Sequence, residues 1–319
     1  MKVLIGLFFV CVVLAGATPY ALDKYVGKKV AEKIVEFSNE EKKKDPTLSI
    51  THGEIHYDVF DDLVTVENIS YYSIEKGFEV TVKKVITTPV DTEDFSDISN
   101  YFESIPKLAI TNIEGGKINV RKSKLTDDMA MKVYSYFAGE DGDIEFSSNS
   151  KGVFITDLGE YEYSNSTHIE NLGELEVLVG VNGIPTAGGD KQLNDMPEML
   201  KDMKVEEFGI SFSTTHTKAI LNELFDVLSH VDSEKEVVKE LNKLAGKMKA
   251  DETLKGFAQP ILDIAKSYQS QRKLTLELKT NEAIDIEKAM MAITMAAMGA
   301  GTPSEIANHL QIKLESRLD

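Results

Sequence analysis

Beyond residue 45 the hydrophobic period of this chain changes from 3.6 to 2, and no other sequence feature constrains the fold as much. Ile55, Tyr57 and Val59 alternate with Glu54, His56 and Asp58. Val64 and Val66 alternate with Thr65 and Glu67, and Phe78, Val80 and Val82 with Glu79 and Thr81. Successive side chains of a strand point to opposite faces, so each run predicts a strand with one dry face and one wet face. Strands buried on both sides would read as continuous apolar runs, so the alternation predicts an antiparallel sheet. Asp61-Asp62 and Glu75-Lys76-Gly77 are the expected connections.

Further strands are expected at Leu108–Thr111 and Lys117–Val120, with Glu114-Gly115-Gly116 as the turn between them. Others are expected at Asp143–Ser147, Gly152–Tyr163, Leu172–Val181 and Val205–Ser213, with a long Gly- and Pro-containing loop over Asn182–Asn194. Short helices are expected over Asp94–Ile105, where Phe95, Ile98, Phe102 and Ile105 share a face, and around Met129, Val133 and Phe137. A Met-rich helical turn (Met196, Met199, Met203) precedes the Val205 strand.

From Lys218 to Gln271 the chain reads as helical. Leu221, Leu224, Phe225, Leu228 and Val231 form one stripe, Ser233 and Glu236 a capping box, and Leu254 to Tyr268 another stripe that Pro260 kinks or restarts. A strand at Lys273–Thr280, a Met-rich helix at Glu287–Gly299 and a last strand through Leu310, Ile312 and Leu314 close the chain. Strands in long runs with helices in separate blocks predict an α+β fold. The expected architecture is an N-terminal membrane segment, a mainly antiparallel sheet, and a C-terminal helical block packed against it.

The N-terminus carries an address. Lys2 precedes twenty uncharged residues, Val3 to Leu22, among which Val3, Leu4, Leu7, Phe8, Phe9, Val10 and Leu14 form the membrane segment. Ala15-Gly16-Ala17 supplies the small residues of a signal-peptide cleavage site. About 20 apolar residues also suffice to span a bilayer. The helical pattern does not stop there: Leu22, Val26, Val30, Ile34 and Phe37 continue it to the solvated run Glu40–Asp45, which reads as a linker. The bulky Phe8-Phe9-Val10 before Cys11 argue against a lipidation signal. Export follows, either anchored in the inner membrane facing the periplasm or released as a soluble periplasmic or secreted protein after cleavage near Ala17. The regions so defined are 1–22, signal anchor or signal peptide; 23–44, amphipathic helix and linker; 45–215, β-rich; and 216–319, helical block with closing strands, with 45–319 also readable as one domain.

Charge and composition exclude several functions. Against 35 basic residues stand 53 acidic ones, a net charge of −18, which is the opposite of the basic stripe that holds nucleic acid. The single cysteine lies in the leader, so the body has no disulfide, cysteine-ligated zinc or thiol nucleophile. His52 and His56 stand four apart, but in an extended strand their rings are roughly 13 Å apart, too far for one metal. Gly139–Asp143 with Glu145 lacks the alternating carboxylates of a calcium loop and reads as a solvated turn. Asp91-Thr92-Glu93-Asp94 reads as the acidic first turn of a helix. Gly209-Ile210-Ser211-Phe212-Ser213 lacks the second glycine of a nucleophile elbow, and no phosphate loop or dinucleotide fingerprint is present. No cofactor is expected.

What remains is apolar surface. Val80, Val82, Ile110 and Val120, with Met291, Met295 and Met298, are the candidates for an apolar groove or for ordinary core. Ala289–Ala300 is uncharged but, at twelve residues, too short to span a bilayer. Methionine's adaptable side chain suits either a core helix or a soft surface for lipid.

An apolar segment running into the amphipathic Tyr25-Val26-Gly27-Lys28-Lys29-Val30-Ala31-Glu32-Lys33, then alternating strands, a helical block and the late Leu274-x-Leu276-x-Leu278 strand, resembles the YdgA-type family of inner-membrane-anchored periplasmic proteins. More distantly it resembles AsmA-type envelope proteins. The specific part covers residues 5–40; the remainder matches in layout, and the chain is shorter. The resemblance implies no catalytic motif; AsmA-type members imply a curved sheet whose apolar concave face serves envelope lipid homeostasis. The expected function is a non-enzymatic, membrane-anchored envelope protein whose apolar face binds lipid or a partner chain. The alternative is a periplasmic scaffold that binds another envelope protein through its acidic surface.

Overall fold

In the computed structural model the described residues are 22–58, 61–88, 108–120, 134, 137–138, 142–155, 158–184, 201–228, 234–250, 254–280, 282–289, 291 and 311–319. They form a mainly antiparallel β-sheet fold with a helical block, the α+β class that the alternation demands, and every strand pair of known register is antiparallel. Contacts divide the chain into two compact units: Met1–Val153 with Thr167–Glu170, and Phe154–Ser166 with Asn171–Asp319.

Unit 1 opens with helix α1 (Leu22–Lys44), followed by β1 (Leu48–Thr51), β2 (Ile55–Asp58), β3 (Leu63–Ser73), β4 (Phe78–Thr87), β5 (Leu108–Val120) and most of β6 (Asp143–Ile155). Its strands lie in the order β1-β3-β4-β5-β6, with β2 also on β3. The i, i+4 spacing of Val26, Val30 and Ile34 puts all three on one face of α1, and they are 0–3% exposed. They pack into one cluster with Val64, Val66, Ile69, Val80, Val82 and Val85, while Tyr71 and Phe78 stack at 5.5 Å. The run Glu40–Asp45 is not a linker. Its first five residues are the last turns of α1, and Asp45 is buried. Its carboxylate accepts the Thr47 N–H (3.0 Å), the Thr47 hydroxyl (2.6 Å) and the Ser73 hydroxyl (2.5 Å), which secures the end of the helix to the β3–β4 hairpin.

Glu114-Gly115-Gly116 is not a turn either. β5 runs unbroken for 13 residues, and the register with β6 slips by one residue between Ile113 and Gly116. The cause is visible across the neighbouring strands. The buried residues are Val64 and Val66, then Ile69 and Tyr71, in β3; Val80 and Val82, then Val85 and Thr87, in β4; and Thr111 and Ile113, then Gly116, in β5. Each strand therefore spends two successive residues off the core face: Glu67-Asn68, Lys83-Lys84 and Glu114-Gly115. Asn68 and Gly115 take left-handed backbone (φ +49° and +60°), as a bulge requires. The register sets Lys84 opposite both Glu67 and Glu114, so the crease carries alternating charge. Gly116 lets the Phe146 ring close over it; a Cβ there would lie 2.5 Å from the ring.

Unit 2 contains most of β7 (Glu160–Ile169), then β8 (Gly173–Asn182), β9 (Lys204–Thr214), helices α2 (Thr217–Leu228), α3 (Glu234–Ala250) and α4 (Ala258–Ser270), then β10 (Leu274–Thr280), β11 (Ile284–Asp285) and β12 (Ile312–Leu318). The strands run β8-β9-β10-β12, with β11 on β9. The segment Gly152–Tyr163, expected as one strand, is broken at Leu158-Gly159, where Gly159 (φ +66°) turns the chain from β6 into β7. Pro260 sits in the first turn of α4 and so restarts the helix, because there its missing N–H costs nothing. Val237 and Leu241 of α3 pack on Ala265 and Tyr268 of α4. The Tyr268 hydroxyl donates to Asn222 of α2 (2.6 Å).

The helix expected over Asp94–Ile105, most of that around Met129–Phe137, the loop beyond Ile184, Met196, Met199 and the helix beyond Met291 lie outside the described residues, as does the apolar leader up to Ala21. Among the described residues no helix is long and apolar enough to cross a membrane.

Candidate functional site

In unit 1 the apolar face is occupied. Val80 and Val82 are each 1% exposed in the cluster that α1 completes. Val120 lies on the same side, opposite Phe78, and is half-buried. Ile110 does not join them: Thr111 and Ile113 face the core, so Ile110 points to the other face. Met291 is 55% exposed, and Met295 and Met298 lie outside the described residues.

Unit 2 differs. Its ladders bring Leu175, Val177 and Val179 of β8 opposite Phe212, Ile210 and Phe208 of β9, and these opposite Leu276 and Leu278 of β10 and Leu314 of β12. Residues directly opposite share a face, so these side chains form one apolar surface four strands wide. All are half-buried. Helix α4 packs on β10 and β12 at one end of this surface, where Leu274 is 2% exposed. The docking is polar at its margin. Asp263 of α4 accepts the Ser316 hydroxyl of β12 (2.7 Å) and Lys266 (2.8 Å). Burial alone would raise the Asp263 carboxyl, but the bonds from Lys266 and Ser316 outweigh it and hold it below the usual range.

The opposite face of the same strands is a shallow polar concavity of about 600 Å³. Its floor has three cross-strand rows. Glu174, Ser213, Thr275 and Arg317 form the first; Glu176, Ser211, Glu277 and Glu315 the second; Leu178 and Gly209 begin the third, which continues beyond the concavity to Lys279 and Lys313. On the β12 side the charges neutralise one another. Lys279 (2.8 Å) and Lys313 both bind Glu315, and these hydrogen bonds pull its carboxyl down to about 2. On the β8 side Glu174 and Glu176 stand opposite serines, so that side is acidic. Ser213 and Thr275 share a hydrogen bond (2.9 Å).

Of the residues weighed for metal chemistry, His52, His56, Asp143 and Glu145 are held by local partners, and Glu140 and Asp141 lie outside the described residues. His52 Nδ1 lies 2.8 Å from the Gly53 carbonyl, His56 lies 3.1 Å from Glu54, and Asp143 and Glu145 bind Lys117. Among the described residues no group of three or more His, Cys, Asp or Glu has the arrangement of a metal site. No protein-family model and no curated protein matches the chain.

The unit 2 surface was present in the sequence as Leu175, Val177 and Val179 alternating with Glu174 and Glu176, and as Phe208, Ile210 and Phe212. Its strands were readable. What period-2 alternation does not contain is which dry face a helix will cover, because a packed face and a binding face need the same side chains.

Proposed function

We propose that this is a non-enzymatic bacterial envelope protein, held at the inner membrane by Val3–Leu22 and facing the periplasm, that binds a lipid chain or an apolar partner segment on the β8-β9-β10-β12 face of unit 2. The observation that carries the reading is the contrast between the two apolar faces. That of unit 1 is filled by α1 to 0–3% exposure at its contact residues, whereas the side chains of the unit 2 face are only half-buried over most of four strands. Buried apolar area drives such binding without any catalytic group. The resemblance to YdgA-type proteins supports the envelope part of the proposal, and the distant one to AsmA-type proteins supports lipid as the occupant.

The acidic β8 side of the polar concavity favours a second reading, a scaffold that takes a basic segment of another envelope protein at Glu174 and Glu176. Extraction of the full chain from alkali-washed membranes separates the two. Phospholipid retained after detergent solubilisation supports the first; a stoichiometric protein partner without lipid supports the second. Recovery of a soluble form beginning at Thr18 would show that the leader is a cleaved signal.

A further inference from the structure

An amphipathic helix that follows a membrane segment ordinarily lies in the plane of the interface, with its apolar face in the acyl boundary. Helix α1 has no such face left. Val26, Val30 and Ile34 are spent on the core of unit 1, and Gly27 faces Ile55 of β2, whose carbonyl oxygen would be in van der Waals contact (3.5 Å) with a Cβ there. The outward side carries Lys28 with Glu32 (3.7 Å) and Lys33 with Glu36 (3.1 Å), and among the described side chains of α1 Val35 is the one large exposed apolar residue. Laying that side on a bilayer would push ion pairs into the headgroup boundary for the gain of one valine.

Only three residues separate Leu22, the end of the uncharged run, from Val26, which is fixed in the core. The tether is therefore about one helical turn long, roughly 6 Å at 1.5 Å per residue. Unit 1 has a defined end at that point. The chain runs down α1, reverses at Asp45, and returns through β1 and β2, so that Ile55 meets Gly27 and the Asp61-Asp62 turn lies beyond it, at the level where α1 begins. The β3–β4 turn lies at the other end, where the Glu75 N–H donates to Thr47 and Ser73 holds Asp45. Over the 23 residues of α1 these two ends are about 33 Å apart.

We infer that unit 1 stands end-on at the bilayer, with the start of α1 and the β2–β3 turn at the lipid headgroups and the β3–β4 turn directed away. This rests on the anchoring reading above. The contact is imposed by the tether and not by charge, since Asp61 and Asp62 are acidic, so neutral lipid suffices.

The chain contains no tryptophan, so one introduced residue is a unique fluorophore. Asp61→Trp, Val35→Trp and Ile74→Trp place it on exposed sites at the near end, midway along α1, and at the far end. Each full-length variant is reconstituted into phosphatidylcholine vesicles carrying a nitroxide-headgroup lipid, floated, and its emission compared with that in unlabelled vesicles. The Asp61→Trp protein should lose most of its emission and the Ile74→Trp and Val35→Trp proteins almost none. Equal quenching of the Val35→Trp protein would mean that α1 lies flat, and would overturn the inference. So would floated protein with no quenching at Asp61→Trp, which would show that the body is held away from the headgroups. Protein that fails to float removes the anchoring reading itself, and the inference with it.

Discussion

Asp45 shows how much one residue can decide. Read from sequence it ends a charged linker; in the fold it is 2% exposed and accepts three hydrogen bonds that join the end of α1 to the β3–β4 hairpin. The Ser73 bond, then that from the Thr47 hydroxyl, holds the carboxyl below its ordinary 3.8. A carboxyl depressed on folding stabilises above its unfolded value, and that contribution fades as pH falls through the folded one. Asp45→Asn should therefore melt below wild type at pH 7, and the gap should narrow as pH drops from about 4 towards 2. A gap of constant size across that range would mean that the charge contributes nothing. Val82 makes the complementary point. At 1% exposure it has no water or partner for a charge, so Val82→Asp should cost about 4 kcal/mol or more in denaturant unfolding. An unchanged midpoint would place Val82 on a wet face.

At the scale of elements, the i, i+4 stripe of α1 was fully legible, and so were the helical block and most strands, because burial imposes a period that composition displays directly. Two errors share a physical origin. Glu114-Gly115-Gly116 and Gly152–Tyr163 both contain signals for a change of chain direction, but glycine with positive φ serves a bulge as well as a turn. Only the partner strand decides between them: β5 stays paired through Gly115 because β3 and β4 change face on the same line, whereas the described pairing of β6 with β5 ends at Val153, before the Leu158-Gly159 turn. That information is non-local, and no window of sequence holds it. The role of α1 is local and testable. Ile34→Ala should destabilise unit 1 by about 2–5 kcal/mol, since the cluster around it cannot fully collapse. A change of a few tenths in equilibrium unfolding would make α1 an appendage rather than a wall of the core.

For the molecule as a whole, the acidic balance and the apolar leader lead the sequence reading to expect a binding role, but they do not locate a surface for it. The groove residues chosen from sequence fell mostly in unit 1 because its alternation is cleanest, and the cleanest alternation marks the face that the chain's own helix fills. The partly exposed apolar face belongs to unit 2, where among the described residues α4 packs on β10 and β12 near Leu274. Ile210 lies in the middle of that face, between Val177 and Leu278, and is only half-buried, so Ile210→Gln should leave the fold nearly intact. The decisive measurement is phospholipid per chain, by extraction and mass spectrometry, in wild-type and Ile210→Gln proteins purified from membranes side by side with their melting temperatures. The expected result is lipid on the wild type and a several-fold loss on a variant that melts within a few degrees of it. Equal lipid on both, or none on the wild type, would contradict the assignment of this face as the binding surface.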